Sequence, residues 1–236
     1  MSPHGHRAHH DHDPFMPDQW EAWAYLFEPA TAALTEALLD AAHVTAGTRV
    51  LDAACGIGPT TAAAHARGAG VLGIDLHPDM VARARRRHPD VPFEVRDMTD
   101  LPDAPGGDGG WDAVVCRFGA HHVDSDAWFR HVRDRLRPGG RLAIAEWGTG
   151  DEVVLDGPRM AVERSPQQWA DAVRAAGFRD VGVRRVGVPV PFGTEETWRR
   201  FLVEMRHAEP GEAARADARL QDGVQHNAAY VVAGTA

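Results

Sequence analysis

Asp52 and Asp75 follow short apolar runs, in Val50-Leu51-Asp52-Ala53-Ala54-Cys55-Gly56-Ile57-Gly58 and Gly73-Ile74-Asp75, and Asp97 stands in Arg96-Asp97-Met98, at the end of a third strand. Carboxylates at the tips of parallel strands can hold a nucleoside. Asp75 offers two acceptor oxygens to a pair of ribose hydroxyls, and Asp97 can accept from an exocyclic adenine amino group. Gly56 and Gly58 let the backbone turn tightly and approach a ligand with no Cβ in the way. A second group is Arg117-Phe118-Gly119-Ala120-His121-His122. A histidine titrating near its ordinary ~6.5 is a good general base for a phenol, enol or amine. Arg117, about one helical turn earlier, could stabilise the anion formed or orient a carbonyl. Neighbouring helical positions point about 100° apart, so at most one of His121 and His122 faces a reacting atom, and His121 is the one a turn from Arg117. The alternative gives Arg117 a structural task and leaves a histidine to pack or cap. Glu146 and Trp147 end a further run. Trp147 can wall an aromatic ligand, attract a cation through its ring, or simply pack.

Holding these residues in place requires strands alternating with helices. Strands fall near residues 49–53, 70–75, 92–96, 112–117, 141–147 and 181–190, and helices near 59–67, 78–87, 124–136 and 165–176. Pro78 suits a helix N1 position and Gly177 a left-handed C-terminal cap. Such alternation predicts an α/β fold with a doubly wound, mostly parallel sheet. Residues 15–43 carry a helical apolar pattern that Pro29 is expected to break into two helices. There Trp23 and Phe27 read equally as core or as lid, whereas Trp20 and Tyr25, with polar tips, are the better lid candidates. After a core of residues 44–190, helical stretches at 195–207 and 211–221 form a cap over 191–224, and 225–236 reads as a final edge strand. Trp128, Trp169 and Trp198 have core spacing. The run Arg83, Arg85, Arg86, Arg87 reads as a solvated helix face. Residues 102–110, rich in Gly and Pro, read as a surface loop.

The chain has 236 residues, 44% of them hydrophobic, which suits one α/β domain with a substantial core. Its formal charge of −9 argues against nucleic acid or an anionic membrane as a partner. No stretch is apolar for the length of a spanning helix, and the polar N-terminus lacks a signal-peptide core, so a cytoplasmic protein is expected. Residues 1–14, with His4, His6, His9, His10 and His12, read as a disordered tail rather than a metal site. Cys55 and Cys116 read as small buried thiols. The chain contains no lysine, which excludes amine catalysis by Lys.

These motifs resemble the class I S-adenosylmethionine-dependent methyltransferases, in particular their small-molecule, ubiquinone/menaquinone-type branch. The resemblance covers roughly residues 44 to 148. It continues in Trp111-Asp112-Ala113-Val114-Val115-Cys116-Arg117 and in Leu136-Arg137-Pro138-Gly139-Gly140-Arg141-Leu142. It implies a seven-stranded sheet, S-adenosylmethionine as methyl donor, and a last strand running antiparallel. Donor contacts are then expected from Asp52, Ala54, Cys55, Gly56, Gly58, Asp75, Leu76, Met80, Asp97, Met98 and Arg117, with Trp20 and Tyr25 on the lid that folds over the donor. Methyl transfer needs no metal, only an acceptor held in line, water excluded and a proton removed. His121, Arg117 and His122 are the catalytic candidates, and Phe118, His121, Glu146 and Trp147 the substrate pocket. Two positions depart from the family pattern. Ala54 replaces its first glycine, a change its small size should allow, and His77 replaces a helix-capping serine. An NAD-type domain is the bland alternative, but its third glycine would fall at Thr61. The expected function is O- or C-methylation of a small aromatic or enolisable metabolite. The alternative is a protein that binds the donor without transferring methyl, as a sensor or a rearrangement enzyme.

Overall fold

The computed structural model describes residues 17–106, 110–149, 164–206, 210–215 and 217–236; the expectation for the His-rich residues 1–14 lies outside them. The apolar runs form β1 (Arg49–Ala53), β2 (Gly70–Asp75), β3 (Phe93–Val95), β4 (Trp111–Arg117) and β5 (Leu136–Trp147). Between them lie the helices α2 (Pro59–Ala66), α3 (Pro78–Arg87) and α4 (Ser125–Arg135), preceded by α1 (Pro17–Ala41). The second half supplies α5 (Pro166–Ala175), β6 (Arg179–Val190), α6 (Glu195–Arg206), α7 (Pro210–Arg215), β7 (Leu220–Gln221) and β8 (Val224–Thr235). The sheet runs β3-β2-β1-β4-β5-β8-β6, and β7 pairs with β8 outside that path. Strands β1 to β5 pair in parallel, while β8 is antiparallel to both β5 and β6.

Both faces are covered, as parallel strands buried on each side require. One apolar cluster joins α1, α2 and α6 to Val50, Val115, Ala145 and Val231; the other joins α4 and α5 to Leu51, Val114, Ile144 and Val232. Trp128, Trp169 and Trp198 lie in this core, as their spacing predicts. Pro78 opens α3, and Gly177, at φ +93°, follows α5 in the left-handed region. His77 caps α3 without a side-chain bond, the weaker cap expected of it.

Four expectations are corrected. Pro29 does not break the N-terminal helix: α1 is continuous over 25 residues. An interior proline costs a helix about 3 kcal/mol, and burial of Trp23, Leu26, Ala30, Leu34 and Leu38 along one face outweighs it. The last strand is not an edge strand. β8 is inserted between β5 and β6, and β6 forms the edge. The sheet gains an eighth, two-residue strand, because only residues 211–215 of the expected 211–221 helix are helical and Leu220–Gln221 folds back on β8. The Arg83–Arg87 run is not a merely solvated face. Arg83 pairs with Asp18 and Glu21, Arg87 with Glu28, and Arg85 donates to the Phe93 carbonyl, so three arginines tie α3 to α1 and β3. The 102–110 loop is anchored by buried Ala104 and by the Trp111 indole, which donates to the Pro102 carbonyl at 2.8 Å; residues 107–109 lie outside the described ones.

Candidate active site

The strand order reverses at β1, between β2 and β4, and at such a point the chains leave in opposite directions and open a crevice at the carboxyl ends. The turn after β1 forms its floor. Gly56 and Gly58 take φ values of +57° and +89°, which glycine adopts freely. A Cβ on Gly56 would meet nothing within 4 Å, whereas one on Gly58 would strike the Phe93 ring at 2.6 Å. The turn therefore leaves open backbone at Gly56 and packs closely at Gly58. Asp75, at the end of β2, accepts from the Gly56 N–H through Oδ2 and from the His77 N–H through Oδ1, both at 2.9 Å. It was expected to spend both oxygens on ligand hydroxyls; each instead already holds the turn, with its second lone pair left over.

Ala54 shares the turn's geometry, at φ +58°. Its small size is thus only half of what the position demands, since a left-handed alanine costs roughly 1 kcal/mol relative to glycine. Its methyl fills space over Gly119, where a Cβ would meet the Ala54 Cβ at 2.6 Å and the Cys116 sulfur at 2.9 Å. That contact seats the segment after β4 against the glycine turn.

Asp52 lies beneath the turn and is 1% exposed. The Thr61 hydroxyl donates to its Oδ2 at 2.6 Å, while Oδ1, also buried, has no hydrogen-bond partner. Burial raises this carboxyl to about 7, against the lowering effects of the Thr61 bond and nearby Arg117. Burial likewise raises the thiols of Cys55 and Cys116, reinforced at Cys55 by Asp52 and Asp75, and both cysteines are free. On the far side Leu76 is exposed, a flat apolar surface beside Asp75, and Met80 packs with Ala24 and Ile57. Asp97 is held in a turn through Oδ1, which accepts from the Thr99 N–H and hydroxyl, both at 2.8 Å; buried Met98 follows it.

The contacts of Arg117 are those of its structural alternative. Its guanidinium turns away from His121 toward α1, donating to the hydroxyls of Thr31 at 2.8 Å and Thr35 at 3.1 Å. It is half-buried; desolvation lowers its pKa, against the pull of Asp52 and Glu28. Phe118 stands at φ +59° and stacks face to face on Trp147, ring centres 4.3 Å apart. That bulky residue in the left-handed region marks stored strain at the end of β4.

Ala120–His122 is a short 3-10 turn, so the argument from α-helical spacing does not hold there. The rings of His121 and His122 lie side by side, 4.1 Å apart. His121 Nδ1 is 2.8 Å from Glu146 Oε2, and Oε1 of the same carboxylate accepts from the Ala120 N–H at 2.9 Å. Glu146 is 3% exposed and lines no wall; it holds the histidine turn from below. Trp147 points to the opposite face of the sheet, into the α1 cluster.

Of the lid residues, Trp23 is core, Phe27 packs against that core, and Tyr25 is 61% exposed. Trp20 lies on α1, its side chain outside the described residues. Sequence reasoning missed Thr31, Thr35 and Thr61. The first two were legible as hydroxyls four apart on an otherwise apolar helix face, which signals a buried polar partner. Among the described residues no group of three or more His, Cys, Asp or Glu could hold a metal, and no helix is long and apolar enough to cross a membrane.

Residues 50–140 match the model of a methyltransferase domain family. A demethylmenaquinone methyltransferase of Beutenbergia cavernae is 41% identical over 114 residues, covering 48% of this chain and 46% of that protein. The 27-O-demethylrifamycin SV methyltransferase of Amycolatopsis mediterranei is 33% identical over 152 residues, covering 61% and 52%. The chain thus spans about half the length of the relatives it matches. Among solved structures, phosphoethanolamine N-methyltransferase 2 of Haemonchus contortus, bound to phosphomonomethylethanolamine and S-adenosylhomocysteine, superposes with a TM-score of 0.60 at 20% identity, covering 91% of this chain and 57% of that one. The [4+2]-cyclase SpnF superposes at 0.61 and 18% identity, covering 92% and 94%, so this architecture also serves a cyclase. Residues 50–140 thus match a methyltransferase domain family, and the sheet order and glycine turn make the chain similar to the class I S-adenosylmethionine-dependent methyltransferases.

Proposed function

We propose that this chain transfers the methyl group of S-adenosylmethionine to an oxygen or carbon of a small aromatic or enolisable metabolite. The observation that carries the reading is the buried Asp52 Oδ1, a carboxylate oxygen with no partner beside a glycine turn with open space at Gly56. A buried unpaired carboxylate is costly, and a cationic ligand would relieve it. The donor fits that demand, since it brings an ammonium, a sulfonium, ribose hydroxyls and an adenine to one crevice. Asp75 and Asp97 would take its ribose and adenine, Leu76 the face of the base, and Met80 and Met98 the packing beneath.

When bound, S-adenosylmethionine supplies a methyl group activated by positive sulfur. The chain's own task is to place the acceptor, keep water out and take a proton. His121 is the group we assign to the proton. It stands at the carboxyl end of β4, is partly exposed, and is seated against the glycine turn through Gly119. Phe118, half-buried at the end of β4 and backed by the buried Trp147, is the aromatic group we assign to a planar acceptor. The relatives, a demethylmenaquinone methyltransferase and a 27-O-demethylrifamycin SV methyltransferase, support a small-molecule acceptor.

A screen of phenols, naphthols and quinols with methyl-labelled donor tests this. Label in the acceptor together with released S-adenosylhomocysteine is the expected result. Donor binding with no label transferred to any acceptor, and no S-adenosylhomocysteine formed, would favour the binding-only alternative.

A further inference from the structure

We propose that Thr61 is a positioning residue for the donor: its hydroxyl occupies one oxygen of the Asp52 carboxylate and so presents the other, Oδ1, to the donor's ammonium. This role rests on the reading of the crevice as a donor site, and it adds how the orphaned oxygen is aimed and kept charged. Its ground is the geometry under the glycine turn. The Thr61 hydroxyl donates to Asp52 Oδ2 at 2.6 Å, and both residues are 1% exposed. Oδ1 of the same carboxylate has no hydrogen-bond partner. A carboxylate anchored through one oxygen cannot exchange it for the other, so the same atom always meets the ligand. The hydroxyl is itself confined. β2 is bare at Gly73, where a Cβ would meet the Thr61 Oγ1 at 2.7 Å and the Phe93 ring at 2.6 Å. Thr61 also stands in the first turn of α2, which Gly58 leaves without a side-chain cap. Its backbone N–H adds to the hydroxyl in favouring the charged form of Asp52. The carboxylate of β1 thus serves the helix end that glycine leaves open.

The hydroxyl has a second effect, on charge. Burial raises the Asp52 carboxyl to about 7, and the Thr61 hydrogen bond is the largest influence opposing it. Other groups face the pair as well. Arg117 on β4 lowers the carboxyl, and Asp75 on β2 raises it. The buried thiols of Cys55 and Cys116 are pushed upward, so they stay neutral and do not compete. At pH 7 the donor-free crevice therefore holds about half a proton on Asp52, and an ammonium arriving at Oδ1 expels it to solvent. Nothing else is made or broken in that step. Without the hydroxyl the carboxyl would rise further, so more of the protein would have to ionise before it could bind.

Calorimetry of S-adenosylhomocysteine, which carries the same ammonium, tests this on the full-length protein without any methyl acceptor. Titrations in buffers of different ionisation enthalpy count the protons released on binding. Wild type should release about half a proton at pH 7 and almost none near pH 9. Thr61→Val should release more at pH 7 and bind about tenfold more weakly, since a hydrogen bond that moves the carboxyl by one pH unit changes affinity by that factor. The loss should shrink near pH 9, where Asp52 is ionised in both proteins, and Thr61→Ser should behave as wild type at either pH. A merely structural role for Thr61 would weaken binding equally at both. Equal proton release in wild type and Thr61→Val overturns the proposal, and so does an affinity loss that does not vary with pH. Should Thr61→Val fail to fold, wild type decides, because binding at pH 7 with no proton released also overturns it. The two readings fail separately. A protein that binds neither S-adenosylhomocysteine nor S-adenosylmethionine sinks the donor site, whereas tight binding with an unaltered proton count sinks the role of Thr61 alone.

Discussion

Two residues under the crevice at the strand ends are kept at a cost in stability. Unfolded, Asp52 titrates near its ordinary 3.8; folded, burial raises it to about 7. Between those values the folded chain binds the extra proton, so the stability of the donor-free protein falls as pH rises from about 4 to about 7 and is flat above. Asp52→Asn should therefore stabilise the donor-free protein at pH 8 by on the order of 2 kcal/mol, read by urea titration, while weakening donor binding. Equal stability of the two at pH 8 would mean that the carboxylate finds solvent or a partner. The second residue is Ala54. Ala54→Gly should relieve its left-handed strain, adding about 1 kcal/mol and some 2–4 °C in melting temperature. A lower melting temperature would show instead that the methyl's contact over Gly119 outweighs the strain.

At the scale of elements, α1 is held in two different ways, and they should respond differently to mutation. Its outer end is tied to α3 by Arg83 and Arg87, whose partners include the almost fully exposed Asp18. Exposed pairs contribute about 0–1 kcal/mol each. Arg83→Ala with Arg87→Ala should barely move global stability but speed amide exchange in residues 17–30, and added salt should do the same to wild type. The inner half is held by Thr31 and Thr35 on half-buried Arg117. Thr31→Val with Thr35→Val would remove both hydrogen bonds to that cation and should cost about 1–3 kcal/mol in denaturant melts. Loss of exchange protection in the arginine variant comparable to that in the threonine variant would contradict this division. The elements themselves were legible, since apolar runs and turn residues mark β1, β2 and α3 to the residue. Proline's effect on α1 was not, because propensity speaks for an isolated helix and this one is packed along its length. The roles at the end of β5 were half legible. Successive strand residues face opposite sides, so Glu146 and Trp147 could never have lined one wall, and period two alone says so. That Glu146 reaches the histidine turn depends on a 3-10 segment that no pattern announces. Arg117 was legible as a choice between two tasks, and its hydrogen bonds to Thr31 and Thr35 favour the structural one.

For the whole molecule, the position of β8 was the least readable feature, because strand order depends on pairing between segments far apart in sequence. As an edge strand it could be trimmed at modest cost. As an interior strand paired on both sides it should be indispensable: a chain ending at Gly223 should lose cooperative unfolding by circular dichroism, and a folded truncated protein would contradict the observed order. The same placement has a consequence for how the molecule is made. Every described strand except β7 and β8 precedes the cap helices, so a ribosome delivers β5 and β6 well before the strand that joins them. Until then β5 and β6 each present an unsatisfied ladder of backbone donors and acceptors to other chains. β6 carries Arg184 and Arg185 in its middle, and paired like charges discourage two waiting copies from zipping together. The sheet closes late, with its final strand, and those two arginines guard the interval.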